Sequence, residues 1–247
     1  MTTPNLNGRT AIITGGSRGI GLAIAQRLAL AGANIVLTSR KQESADEAAE
    51  QVGGNAIGVA AHAVDEEAAR QCVDLTLDRF GSIDILVNNA GTNPAYGPLI
   101  DQDHARFAKT FDVNLWAPLL WTSLAAKAWM VEHGGAIVQT ASIGGMHQSP
   151  NMGMYNATKA ALIHVTKQLA LELSPRVRVN AICPGLILTA MTQAGIESGL
   201  FDIKAHCPMA RHGEANEVAE AVVWLCSDRS SYVTGIALPV DGGYWAW

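Results

Sequence analysis

Short apolar runs alternate with segments of helical period along the whole chain, and that alternation leaves few folds open. The runs are Arg9–Ile13, Asn34–Thr38, a weaker Asn55–Val64, Ile83–Val87, Ala136–Thr140, Arg176–Ile182 and Gly235–Val240. Between them lie an Ala/Leu-rich segment from Ile20 to Gly32, then Gln42–Gln51, Glu66–Phe80, Asp101–Val131, Gly153–Leu173 and Glu214–Cys226. Strands that read as continuous apolar runs are buried on both faces, which requires helices above and below the sheet. The expectation is an α/β fold: a doubly wound parallel sheet with helices on both faces. At 247 residues, half of them apolar and with no linker, repeat or low-complexity tract, residues 1–247 read as a single domain.

Composition removes several classes of function. A net charge of -5 and a pI near 5.8, without any dense Lys/Arg run, exclude a general attraction to nucleic acid or an anionic membrane. Cys72, Cys183, Cys207 and Cys226 are far apart, so they suggest buried thiols and neither a metal cage nor a disulfide framework. Met1 to Gly8 lacks an apolar leader, and no apolar run has membrane-spanning length. A cytoplasmic location is expected.

After the first strand comes Thr14-Gly15-Gly16-Ser17-Arg18-Gly19-Ile20-Gly21, opening a helix. Glycines there let a pyrophosphate approach the unpaired N–H groups of a helix N-terminus, although a tight turn would use the same residues. The second strand ends at Ser39-Arg40-Lys41, and the first acid beyond it is Glu43. No carboxylate stands there for an adenosine ribose, while Arg40 and Arg18 supply charge suited to a 2′-phosphate or are simply solvated arginines. Asp65 is placed for an adenine contact or a helix N-cap, two compatible roles. Asn88-Asn89-Ala90-Gly91 gives polar turn chemistry at the strand edge where open parallel sheets bind ligands.

The chemistry concentrates between Thr140 and Leu173. Tyr155 and Lys159 are four apart, hence neighbours on one helical face. A phenol titrates near pH ~10, and an adjacent ammonium is expected to lower that value. Ser142 can offer a hydroxyl to the same substrate oxygen if the Ile143–Met152 loop folds back over the helix start. Asn114 lies within the long helical segment near Pro118, which should kink the helix or mark a boundary. Asn114 there either re-aims a main-chain carbonyl or is a polar residue satisfied inside the helix.

Taken together, Thr14-Gly15-x-x-x-Gly19-Ile20-Gly21, Asn88-Asn89-Ala90-Gly91, Asn114, Ser142, Tyr155-x-x-x-Lys159 and Pro184-Gly185 resemble the short-chain dehydrogenase/reductase family over essentially the whole length. The chain is also similar to 3-oxoacyl-carrier-protein reductases and to NADP-dependent carbonyl reductases. The resemblance implies a Rossmann-type domain and a catalytic tetrad of Asn114, Ser142, Tyr155 and Lys159. In it the tyrosine is the general acid/base, the lysine tunes it and holds the nicotinamide ribose, the serine binds the substrate oxygen and the asparagine supports a relay water. It places cofactor contacts at Gly15, Ser17, Arg18, Gly19, Ile20 and Gly21, and at Ser39, Arg40, Val64 and Asp65. Further contacts fall at Asn89, Ala90, Gly91, Tyr155, Lys159, Pro184, Gly185, Ile187 and Thr189. The cofactor implied is NADP(H) ahead of NAD(H), the substrate a ketone or secondary alcohol, the assembly a homotetramer, and no metal is required. A non-catalytic dinucleotide sensor or scaffold on the same fold is the reading from another class.

Met146, Met152, Met154, Leu186, Leu188 and Met191 flank the expected site and suggest an apolar ketone, though core packing would also use them. His147 and His206 are ligand contacts or ordinary histidines. Leu186 to Gly213 has no clean period and is a candidate lid. Arg106, Lys109 and Lys127 would be the docking patch if the substrate rides on an acidic carrier protein; solvated helix charges are the plainer account. The aromatic tail Tyr244, Trp245, Trp247 either meets another subunit or packs on its own.

Overall fold

The computed structural model describes residues 4–190, 192, 193, 196 and 207–246. Seven parallel strands form one sheet in the order β3-β2-β1-β4-β5-β6-β7. They are β1 Thr10–Ile13, β2 Asn34–Ser39, β3 Ala56–Ala60, β4 Ile85–Asn88, β5 Gly135–Thr140, β6 Val177–Pro184 and β7 Ala237–Val240. The helices are α1 Gly19–Leu30, α2 Gln42–Val52, α3 Glu66–Phe80, α4 His104–Phe111, α5 Ala117–Ala125, α6 Val131–His133, α7 Gly153–Leu173 and α8 Ala215–Cys226.

Residue alternation in the strands builds two apolar layers. Ala11, Ile13, Ile35, Leu37, Ile85 and Val87 face a cluster completed by α1 and α8. Their neighbours Ile12, Val36 and Leu86 face the opposite cluster, which α3 and α5 complete. Trp121 is fully buried in that second layer, its indole N–H donating to the Ala63 carbonyl at 2.9 Å. The expected doubly wound sheet is therefore present, with the order reversing between β1 and β4.

Two local expectations need correction. The run from Asn55 to Val64 contributes only Ala56–Ala60 to the sheet; Ala61 and Ala63 are buried as packing residues of the following turn. The long helix begins at His104, after a 3-10 turn at Leu99–Asp101. Pro118 marks a boundary as expected: α4 passes through a π-turn at Asp112–Trp116 into α5, whose second residue is Pro118, and a second π-turn at Ala126–Met130 leads into α6. The wider turn before Pro118 accommodates a residue that has no N–H to give.

Candidate active site

Strand carboxyl ends gather the predicted cofactor residues on one edge, beside the reversal between β1 and β4. Such a crevice is where open α/β sheets take ligands. Gly15 has φ +63 and Gly19 φ +55, left-handed values that suit glycine. Arg18 is the N-cap of α1 but offers it no side-chain bond, so the first-turn N–H groups keep their capacity for an anion. Thr189 comes within 3.6 Å of where a Cβ on Gly19 would stand, which joins the segment after β6 to the glycine turn. The residues present therefore fit a dinucleotide.

Asn89 supports the turn. Its side-chain amide donates to the Thr14 and Gly15 carbonyls at 3.1 and 3.0 Å, while the N–H groups of Asn89 and Ala90 donate to the Thr14 hydroxyl at 3.0 and 3.1 Å. Gly21 is required for this brace, since a Cβ there would lie 2.5 Å from the Asn89 amide nitrogen. Thr14 opens the glycine motif, but only its partner 75 residues on reveals its role.

Around the rest of the crevice, Ser17 is partly buried, and Ile20 packs against the core beneath it. Ser39 closes β2, its carbonyl accepting from the Ala61 N–H at 2.8 Å. Arg18 and Arg40 are exposed and make no ion pair among the described residues. Val64 packs on the core, and Asp65 caps α3 by accepting from the Ala68 N–H at 3.0 Å. Pro184 ends β6; Gly185 donates to the Val240 carbonyl at 3.0 Å and approaches Asp241 so closely that a Cβ would sit 2.7 Å from its Cα. Ile187 is buried and bridges Gly213, so the two ends of the 186–213 segment are tied together. Met191, Phe201, His206 and Trp247 lie outside the described residues.

The predicted tetrad converges. Ser142 leaves β5 in extended conformation; its hydroxyl accepts from the Gly144 N–H at 3.1 Å and stands near enough to the Tyr155 phenol to lower its pKa. Lys159 is 3% exposed, donates to the Thr140 carbonyl at 2.7 Å and lies 5.6 Å from the centre of the Tyr155 ring. Gly91 faces the same space, a Cβ there lying 3.6 Å from Asn114 Oδ1 and 3.7 Å from Lys159 Nζ.

Electrostatics reverse one expectation. Burial raises the Tyr155 phenol above its ordinary value, with the Ser142 hydrogen bond opposing it. Lys159 is lowered to about 8 by the same loss of water. Desolvation thus sets the direction for both groups in the protein by itself.

Asn114 uses its whole side chain structurally. Its Oδ1 accepts from the Thr92 N–H at 2.8 Å, and its Nδ2 donates to the Thr92 carbonyl at 2.9 Å and the Thr158 hydroxyl at 3.2 Å. Thr158 in turn donates to the Tyr155 carbonyl at 2.7 Å. Its main-chain carbonyl cannot take the usual α-helical partner, because the residue four further on is Pro118, which has no N–H.

Two surfaces complete the picture. A groove of about 480 Å³ lies on the other side of α7, lined by small residues including Gly144, Gly145, Gly153, Ala157 and Ala160; Tyr155 and Lys159 face away from it. Arg106 pairs with Asp103 at 3.7 Å, which weakens it as a docking charge. Tyr244 packs on its own subunit and stacks with His147 at 5.5 Å, whereas Trp245 is 47% exposed. All four cysteines are free and buried. No group of residues able to hold a metal occurs among the described residues, and no described helix is long and apolar enough to cross a membrane.

Fold and crevice define a dinucleotide-dependent enzyme of the doubly wound class. Residues 15–245 match the family model described as enoyl-(acyl carrier protein) reductase. The chain is 38% identical to a dehydrogenase/reductase SDR family member 4 from Caenorhabditis elegans, over 96% of this chain and 95% of that one. A solved 7α-hydroxysteroid dehydrogenase is 33% identical with a TM-score of 0.90, covering 97% of this chain and 95% of its own. A Brucella melitensis short-chain dehydrogenase/reductase of the glucose/ribitol dehydrogenase type is likewise 33% identical, with a TM-score of 0.93 and coverage of 98% and 99%. The chain belongs to the short-chain dehydrogenase/reductase family. It is accordingly an oxidoreductase that uses a nicotinamide dinucleotide.

Proposed function

We propose that the protein is an NADP(H)-dependent oxidoreductase interconverting a ketone and a secondary alcohol, with Tyr155 as general acid/base. The observation that carries this reading is Tyr155 standing over a buried Lys159, whose ammonium lies 5.6 Å from the ring centre, with Ser142 beside the phenol. A bound NADPH supplies the hydride in the reductive direction. Tyr155 donates the proton to the developing alkoxide, Ser142 orients that oxygen, and Lys159 recharges the proton pathway from beneath. Gly15, Gly19 and Gly21 with the α1 N-terminus hold the pyrophosphate; Asn89 and Thr14 keep that turn rigid.

The choice of NADP(H) rests on Arg18 and Arg40, which are free of ion pairs among the described residues, and on the lack of an acid before Glu43. The steroid dehydrogenase relative was solved with NADH and 7-oxo glycochenodeoxycholic acid, which supports a bulky ketone but not this cofactor preference. Arg40→Asp is expected to lower the kcat/KM ratio of NADPH to NADH about 10–100-fold, the worth of one charge-assisted contact. A wild-type preference for NADH, or a ratio that Arg40→Asp leaves unmoved, would sink the assignment.

The substrate we favour is a free, largely apolar ketone, because Met152 and Leu188 flank the expected site along the chain and Arg106 is already paired. A carrier-linked 3-oxoacyl group is the less supported variant.

A homotetramer in the cytoplasm is the matching assembly. The small-residue groove on α7 and the half-exposed Trp116 and Phe107 give helix faces that a second copy would cover. Light scattering should return four times 26.0 kDa, and Ala160→Arg, an exposed position, should reduce it to dimer or monomer. An unchanged mass in the variant would place the contact elsewhere.

A further inference from the structure

Threonine hydroxyls at the strand ends around the crevice are used by the fold. That of Thr14 accepts from two main-chain N–H groups, and that of Thr38 accepts from the Gly15 N–H at 3.4 Å. Thr140 differs. Its residue is 8% exposed, and among the described residues it is the one buried threonine whose hydroxyl is sealed from solvent without a hydrogen-bond partner. A buried hydroxyl left unpaired is unfavourable, and each one calls for an account.

Thr140 closes β5 at the carboxyl edge of the sheet, and strand alternation fixes where its side chain lies. Gln139, one residue earlier, faces α5 and donates to the Thr122 hydroxyl at 3.2 Å. Thr140 therefore faces the other layer, to which Val138, two residues before it, and Ile182, its partner on β6, both belong. That is the layer of α1, the helix that the glycine turn opens. On the neighbouring strand, Asn89 follows the partner of Gln139, and its amide reaches the Thr14 and Gly15 carbonyls of that turn. The Thr140 main-chain carbonyl is already taken by Lys159 at 2.7 Å, and Ser142 follows two residues later. The hydroxyl thus stands on the cofactor side of the sheet, at the end of the crevice where the reaction takes place.

We propose that the Thr140 hydroxyl is a cofactor contact, hydrogen-bonding the nicotinamide half of the bound dinucleotide. The inference rests on the nicotinamide-dependent reading given above, in which the hydride starts beside Tyr155 and Ser142. Packing alone gives no reason for the oxygen: valine has nearly the same shape and would meet Val138 and Ile182 without burying an unpaired group.

The test measures binding and melting of Thr140→Val and Thr140→Ser without any turnover. Calorimetric titration with NADPH should show roughly tenfold weaker binding to the valine variant, the loss of one hydrogen bond that leaves its partner unpaired. The same ratio is expected with NADH, because both cofactors share the nicotinamide half. Binding of 2′,5′-ADP, the adenosine half alone, should stay within about twofold of wild type, and the serine variant, which keeps a hydroxyl, should bind NADPH within about threefold. Without ligand, Thr140→Val should melt no lower than wild type, since it discards a buried group that the protein does not pair.

Equal NADPH affinity in wild type and Thr140→Val, an equal loss for 2′,5′-ADP, or a serine variant as weak as the valine one would overturn the proposal. So would a lower melting temperature of ligand-free Thr140→Val, which would mean that the hydroxyl is satisfied before the cofactor arrives. The parent reading fails differently: wild type would bind neither NADPH nor NADH.

Discussion

Tyr155→Phe is expected to lower ketone-reduction turnover about 10²–10⁴-fold, the usual worth of a positioned general acid. Phenylalanine keeps the ring beside Lys159 and deletes only the hydroxyl near Ser142, so the packing of α7 should persist. The glycine turn and its Asn89 brace lie on other elements and are untouched. NADPH affinity, read by fluorescence titration, should therefore stay within a few-fold while kcat collapses. Near wild-type turnover would rule Tyr155 out as the acid.

Lys159→Met is expected to separate activity from stability. Removing a cation beside a phenol raises the phenol's pKa by about 1–3 units, which reduces the phenolate fraction, and with it alcohol oxidation near neutrality, about 10–10³-fold. Stability should move the other way. Lys159 is held at about 8 in the folded protein against an ordinary 10.5, so between those values the unfolded chain carries more protons. Stability of the wild type consequently rises with pH across about 8 to 10.5, and below 8 the buried ammonium costs up to about 3 kcal/mol. Methionine removes that cost but leaves the Thr140 carbonyl without its donor, an opposing loss of about 1–3 kcal/mol. The variant should then be about as stable as wild type at pH 7, with wild type gaining on it towards pH 10. Urea melts at the two pH values check this, and a flat difference would contradict the burial argument.

The alternation of apolar runs made the sheet legible because burial on both faces leaves a chain no other economical pattern. It misled at Asn55–Val64, where the strand ends at Ala60 while Ala61 and Ala63 stay buried; apolarity reports loss of water, not where a strand stops. The Tyr155–Lys159 spacing likewise placed both groups on one face. Its electrostatic sign did not follow, since residues four apart show proximity but not the depth at which they sit. The braces were the least legible part. Thr14 serves Asn89 from 75 positions away and Thr92 serves Asn114 from 22, and single threonines carry no local pattern that announces such partners.

Each of the two π-turns between His104 and His133 is one residue more than an ordinary coil needs. Deleting one residue from 112–116 would remove the wide turn and let an ordinary α-turn join the flanking segments with their phase kept. Trp121 would stay in the interior, while the backbone around Asn114 would close up. The irregularity therefore lets one stretch of chain serve both a core and a reaction centre, and shortening it should cost turnover before it costs stability.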